Sequence, residues 1–304
     1  MSDPARPVVV VALGAVALLH GGGHLEAASE FAAARHAARL LAPVAADARL
    51  VVTHGNGPQI GLLALMSGAD AGAPLDVVGA EAAGELGYII EMELDNAVSG
   101  RDTVAVVTRT EVADRDPAFG NPTTFIGPVY DGARARALAD ELGWTLRRDG
   151  ERWRRVVPSP EPLRILQLPA IAQLVESDFL VVCAGGGGVP VVLGDDGTYT
   201  GVEAVIDRDL AASLLACDLG ASALVLATDV DGVYEGFGTT AERRIESATP
   251  AELRRGAFEP GTMGPKVEAA CRFVERTGGR AAIGALEDVG GLVAGRSGTQ
   301  VRPS

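Results

Sequence analysis

Lysine is almost missing from this chain of 304 residues: of its 26 basic residues one, Lys266, is a lysine and every other is an arginine. Positive charge is scarce altogether, with 40 acidic residues and a formal net charge of -14. That balance excludes diffuse attraction to nucleic acid or an anionic membrane, so an anionic ligand must be held by local donors. The three cysteines, Cys183, Cys217 and Cys271, are far apart, odd in number and without metal-ligand spacing. A disulfide framework is therefore not expected, and a reducing, cytoplasmic setting with three small core thiols fits instead. No stretch is apolar for long enough to span a bilayer. The run Val8 to Leu19 opens with four β-branched residues and leads to Gly21-Gly22-Gly23-His24 without a small-x-small cleavage site, which reads as a strand and not a secretion signal. What is present is 47% hydrophobic content, enough to bury one large α/β core or two smaller lobes.

Runs that are apolar without polar alternation belong to strands buried on both faces. Val8 to Leu13, Leu50 to Thr53, Thr103 to Thr108, Phe179 to Ala184, Ala223 to Thr228 and Ala281 to Ile283 are of this kind. Helical patterns alternate with them, at Leu25 to Leu41, Ala80 to Val98, Asp207 to Leu219, Pro250 to Ala257 and Pro265 to Thr277. The alternation predicts a mostly parallel sheet with helices on both faces, and ligands at the carboxyl ends of its strands. One interval, from Glu111 to about Pro162, breaks the rhythm with prolines, aromatics and Arg147, Arg148, Arg152, Arg154 and Arg155. So long a connection in a compact domain has structure or function of its own, which predicts a small excursion from the main sheet. Trp144 and Trp153 are read as packing within it, and the arginines mostly as a solvated face.

Several strand ends lead into glycine-rich turns: Leu13-Gly14-Ala15-Val16, His54-Gly55-Asn56-Gly57-Pro58-Gln59-Ile60-Gly61 and Ala184-Gly185-Gly186-Gly187-Gly188-Val189-Pro190. Glycine lets backbone N–H groups approach an oxyanion, and a helix that starts just afterwards adds its positive end. Each turn alone is as readily a plain tight turn; three at strand ends favour an anion site. Further on, Ile206-Asp207-Arg208-Asp209 sets two carboxylates around a cation at a helix start, where the commonest use of Asp207 is as an N-cap. Thr228-Asp229-Val230-Asp231-Gly232-Val233-Tyr234 follows an apolar strand, and its aspartates suit either a turn or a ribose. Lys266 closes Gly261-Thr262-Met263-Gly264-Pro265-Lys266. A lysine kept where all others have become arginine points to a compact ammonium that a planar guanidinium cannot replace, as in phosphate chemistry.

In this order the motifs resemble the carbamate kinase family of the wider amino-acid kinase superfamily, from Val8 to about Thr299. The most specific pieces are His54-Gly55-Asn56-Gly57-Pro58-Gln59, Pro74-Leu75-Asp76-Val77, Asp116-Pro117-Ala118-Phe119, Trp153-Arg154-Arg155-Val156-Val157-Pro158-Ser159-Pro160, the Gly185 to Pro190 loop and Met263-Gly264-Pro265-Lys266. The resemblance implies a three-layer α/β/α sandwich with a mostly parallel central sheet and a small protruding subdomain at about 111–162. It implies one kinase domain over 1–304, with an acceptor-binding half at 1–178 and a nucleotide-binding half at 179–304. Lys266 would lie along the ATP phosphates with Asp209 and Arg208 as catalytic companions. Gly14, Gly55, Asn56, Gly57, Gly186 and Gly187 would face the acceptor. Asp229, Val230, Tyr234, Met263, Gly264 and Lys266 would flank the nucleotide. ATP with Mg²⁺ follows, the ion arriving with the nucleotide and not in a protein cage, as does a homodimer that binds neither nucleic acid nor membrane.

Departures from the family pattern fall near the reacting centre. Where the family carries Gly-Gly-Asn this chain has Gly14-Ala15-Val16, and Thr124 replaces the lysine of its Pro-Thr-Lys-Pro-Ile-Gly-Pro pattern. Arg208 and Thr262 stand for the family's lysine and serine. The drift from lysine to arginine accounts for Arg208 but not for Val16 or Thr124. A lost oxyanion donor costs about 3 to 4 kcal/mol of barrier. His20, His24 and one of Arg154 or Arg155 are the candidate replacements. Three readings therefore stand open: a kinase acting on carbamate, a kinase with another acceptor, and a nucleotide-binding protein without the chemistry.

Overall fold

The computed structural model describes residues 6–14, 27–66, 73–259 and 261–303. Val16, His20 and His24 lie outside the described residues. In chain order the elements are β1 (Val8–Leu13), α1 (Ala27–Asp47), β2 (Arg49–His54), α2 (Gly57–Met66), α3 (Leu75–Ala97), β3 (Thr103–Val106), β4 (Arg109–Glu111), β5 (Thr124–Tyr130), α4 (Gly132–Leu142), β6 (Leu146–Asp149), β7 (Arg152–Val157), β8 (Arg164–Ile165), α5 (Leu168–Glu176), β9 (Leu180–Cys183), β10 (Val189–Leu193), β11 (Tyr199–Gly201), α6 (Arg208–Asp218), β12 (Ala223–Thr228), β13 (Val233–Glu235), β14 (Arg243–Ile245), β15 (Ser247–Ala248), α7 (Pro250–Leu253), α8 (Met263–Thr277), β16 (Arg280–Ala285), α9 (Val289–Ala294) and β17 (Thr299–Val301).

Eight strands form the central sheet in the order β15-β17-β16-β12-β1-β2-β9-β3, parallel except where β17 runs against β16. Successive side chains of β1 point to opposite faces, and both faces are apolar. Val10 and Ala12 pack toward α5, α6 and α8, where Ile171, Leu215 and Phe273 are buried. Val9, Val11 and Leu13 pack toward α1, α3 and α9, around Leu41, Ile90 and Leu292. The result is the three-layer α/β/α sandwich. From β1 the chain winds toward β2 on one side, whereas β12 is added later on the other, so the sheet reverses direction beside β1. A crevice opens at the strand carboxyl ends at such a reversal.

The six apolar runs all become central strands, two of them, β1 and β12, with the bounds read from the sequence and the others displaced at their ends by up to two residues. Helices depart further from the sequence reading. α1 runs past Pro43 to Asp47, because Leu41, Val44 and Ala45 continue its buried stripe and outweigh the backbone bond that proline removes. α3 begins at Leu75, whose N–H donates to Glu203 Oε1 at 2.7 Å, an anchor from far along the chain. α2 lies in a stretch read as a turn: Gly57 and Pro58 occupy a first turn where proline lacks no needed N–H. The excursion holds a three-stranded antiparallel sheet, β5-β7-β6, with α4 beside it. Its neck is tied by Asp116, which accepts from Ala118 N–H with one carboxylate oxygen and from Glu161 N–H with the other, at 2.8 and 3.0 Å. Among the described residues no helix is long and apolar enough to cross a membrane.

Candidate active site

The glycine turns meet at the carboxyl ends of β12, β1, β2 and β9. Gly14 N–H donates to Ala227 O at 3.1 Å and Gly55 N–H to Leu13 O at 3.0 Å. Both donors therefore extend the strand ladder. The Gly55 N–H is thus taken up within the sheet. What Gly14 supplies is room, since a Cβ there would lie 3.0 Å from Ala227 O.

The third turn is built around absent side chains. Ala184 adopts a left-handed conformation with φ 49°, sparsely allowed for a residue with a Cβ. Gly186, Gly187 and Gly188 follow with φ of 64°, 86° and 92°. Two threonines brace the turn: Ala184 N–H donates to Thr108 Oγ1 at 3.0 Å, and Thr110 Oγ1 donates to Gly187 O at 2.7 Å. A Cβ on Gly185 would overlap the ring of His54, one on Gly186 the amide of Asn56 at 2.1 to 2.5 Å, and one on Gly187 the side chain of Ile206. So Asn56, itself buried, lies against Gly186, and the turn rests on the segment that enters α6. His54 is fully buried; desolvation pushes its pKa down to about 4, partly opposed by the Gly55 carbonyl, and keeps the ring neutral.

Asp207 is the N-cap of α6 and accepts from Asp209 N–H and Leu210 N–H at 2.9 Å each. Burial, and next the Asp209 carboxylate, push the Asp207 pKa up. The cap turns Asp209 inward to meet Lys266 from the first turns of α8: Nζ donates to Oδ2 at 2.7 Å, with the two side chains 5% and 6% exposed. Arg208 Nε lies 3.9 Å from Asp209 Oδ1 and is buried without a hydrogen-bond acceptor. A buried donor without an acceptor is costly unless a ligand supplies one. Upstream of Lys266, Gly264 N–H donates to Glu259 O at 3.0 Å, and a Cβ on Gly264 would crowd that oxygen at 3.1 Å. Thr262 places no side-chain cap on α8.

Asp229 follows β12 and is exposed; its carboxylate accepts from Thr228 Oγ1 at 3.0 Å, and a Cβ on Gly14 would come within 3.8 Å of Thr228 Cα. Val230 is half-buried in the same turn. Tyr234, in β13, donates its hydroxyl to Asp231 at 2.6 Å, which ties the phenol to the turn that precedes the strand. Contacts at the strand ends thus join Gly14 to Ala227 and Thr228, Gly55 to Leu13, Gly186 to Asn56 and Gly187 to Ile206, which precedes the Asp207 cap, while Asp209 of α6 meets Lys266. Met263 begins α8 one turn before the lysine, and Gly57 begins α2.

Of the subdomain arginines, Arg155 faces the main body: its guanidinium lies 4.3 Å from the Trp144 ring centre and 3.7 Å from Glu203. Burial lowers its pKa and Glu203 raises it. Arg154 Nε donates to Gly127 O at 2.6 Å. Arg148 lies over Trp153. Thr124 is paired with Val157. The bracing by Thr108 and Thr110 and the buried bond from Gln59 Nε2 to Glu30 Oε1 at 2.8 Å were not legible, since each joins residues distant in sequence.

Comparison with known proteins places this geometry. A sequence profile of the amino acid kinase family matches residues 7–284. A carbamate kinase of Rhizobium meliloti (strain 1021) is 47% identical over 302 residues, covering 97% of this chain and 93% of that one. One of Haemophilus influenzae is 43% identical over 297 residues, covering 96% of each. Among solved structures, the carbamate kinase from Giardia lamblia bound to AMP-PNP superposes with a TM-score of 0.90 at 35% identity, covering 99% of both chains. Likeness of this extent runs through every turn described above: the chain belongs to the amino acid kinase family and, within it, to the carbamate kinases.

Proposed function

We propose that this enzyme transfers the γ-phosphoryl group of ATP reversibly to carbamate, giving carbamoyl phosphate and ADP. The observation that carries the reading is the buried Lys266–Asp209 pair, in a chain that also gathers glycine turns at its strand ends and is 47% identical to a carbamate kinase along nearly its whole length. That identity does not favour another acceptor in spite of Thr124.

In the forward direction a carbamate oxygen forms a bond to the γ-phosphorus while the bond to the β–γ bridging oxygen breaks, and ADP leaves with that electron pair. Charge spreads over the transferred group, so positioning and preorganised electrostatics supply nearly all the catalysis. Lys266 donates to the phosphoryl oxygens. Asp209 holds its ammonium in place, and Asp207 holds Asp209 by capping α6. The unaccepted Nε of Arg208 fits a phosphate oxygen. On the other side, the Asn56 amide and the N–H groups at Gly57 and Gly186 orient the acceptor, with Gly14, Gly55 and Gly187 placing no side chain beside it. Asp229, Val230, Tyr234, Met263 and Gly264 flank the nucleotide. Mg²⁺, bound with the triphosphate, would offset its negative charge. We take residues 1–178 as the acceptor half, with 111–162 as the protruding subdomain, and 179–304 as the nucleotide half, which lends the acceptor its turn at Gly186 and Gly187. We place the enzyme in the cytoplasm as a homodimer, in keeping with three free thiols.

The test is ATP formation from ADP and carbamoyl phosphate, read by a coupled assay with Mg²⁺ present. Turnover well above the uncatalysed breakdown is expected; a rate equal to that background would refute the reading.

A further inference from the structure

α2 connects two places that matter. Its first turn is nucleated by Asn56, whose carbonyl accepts from Ile60 N–H at 2.9 Å. One turn further on, Gly61 is in backbone contact with the subdomain: a Cβ on Gly61 would fall 1.9 Å from Gly127 Cα and 2.2 Å from Gly127 N. No side-chain rotation relieves such an overlap, because the obstructing atoms are main chain. Gly127 is itself left-handed at φ 70°, at the irregularity in the β5–β7 pairing between Ile126 and Val129. Arg154 holds that turn through its bond to the Gly127 carbonyl. Around the contact, Ile60 of α2 packs with Ile126 and Val157 of the subdomain and with Leu75, Val78 and Val205 of the body.

We infer that Gly61 is a positioning residue for acceptor binding: its missing side chain lets the subdomain seat directly on the helix that Asn56 starts, and that seating sets where the Asn56 amide points. The inference rests on the function proposed above. Four residues of helix rise about 6 Å between Gly57 and Gly61, so a displacement at the contact reaches the loop through one rigid turn. Asn56 is confined on its other side by Gly186. The amide is therefore set from two directions, by Gly186 directly and by the seated subdomain through α2.

Three variants test this with ATP formation from ADP and carbamoyl phosphate, together with calorimetric binding of AMP-PNP. For Gly61→Ala, kcat/KM for carbamoyl phosphate is expected to fall about 100-fold, the scale of a misplacement near 1 Å, while the AMP-PNP Kd stays within about twofold of the wild type. Arg154→Ala, which loosens the Gly127 turn without a clash, is expected to fall in the same parameter by about tenfold. Gly79→Ala is the control, a helical glycine of α3 with no atom within 4 Å of the added Cβ, and is expected to match the wild type. Wild-type kcat/KM in Gly61→Ala overturns the inference, as does an equal weakening of AMP-PNP. If Gly61→Ala does not fold, Arg154→Ala decides, and its behaving as the wild type overturns the inference. A wild-type enzyme that makes no ATP counts against the proposed function instead.

Discussion

The two walls of the proposed site are built on opposite principles. On the side assigned above to phosphate a charged pair, Lys266 and Asp209, is sealed away from solvent and held by the Asp207 cap. On the side assigned to the acceptor the described residues of the turns carry no charge: glycines at 14, 55, 57, 185, 186 and 187, the Asn56 amide and a histidine that burial keeps neutral. A transferred phosphoryl group builds up negative charge and calls for a fixed cation. A small planar acceptor calls for space and direction, which glycine supplies by leaving side chains out.

Removing charge from the first wall is expected to have the largest effect. Lys266→Met strands Asp209 in the interior, where loss of one member of a buried pair costs about 3 to 5 kcal/mol of stability. The turnover number should fall by about 10²- to 10³-fold, as for other lost oxyanion donors. Urea unfolding and the coupled assay measure the two losses. Adding a single carbon to the second wall comes next. Gly186→Ala places a Cβ on the Asn56 amide in a backbone conformation already left-handed. We expect kcat/KM for carbamoyl phosphate to fall about 100-fold with AMP-PNP affinity kept; an equal loss of nucleotide affinity would mean that the walls are not separable.

Acid probes the neutrality of the acceptor wall. His54 has a folded pKa of about 4 against an ordinary 6.5, so the unfolded chain binds a proton first. Stability is complete above pH 6.5 and declines as pH falls from 6.5 toward 4, by about 3 kcal/mol in all from this group. Unfolding free energies from pH 7.5 to 4.5 should show that decline, and His54→Gln should flatten it. The smallest effect is expected outside both walls. Arg254 bridges Glu268 and Glu275 on α8 at 39% exposure. Arg254→Ala should cost no more than about 1 kcal/mol and leave turnover unchanged.

Residues 8–13 and 223–228 announce the central strands because apolar runs without polar alternation suit a doubly covered sheet. Lys266 announces the proposed phosphate wall because one side chain alone escaped the drift to arginine. The acceptor wall was legible only as glycine turns. That Gly186 yields its place to Asn56, or Gly61 to Gly127, depends on residues more than sixty positions apart, and a missing side chain leaves no local mark of what fills its space. α2 was missed for a related reason. Glycine and proline mark turns and helix starts alike, and the packing of Ile60 against the subdomain decides between them.

The assignment of Lys266 is tested most directly by Lys266→Arg, which keeps the charge and with it the means to pair with Asp209. If a compact ammonium is what the phosphoryl group requires, the variant should fold with nearly the wild-type Tm and bind AMP-PNP, yet form ATP at least about 100-fold more slowly. Turnover at the wild-type rate would contradict the assignment and make the lone lysine an accident of composition.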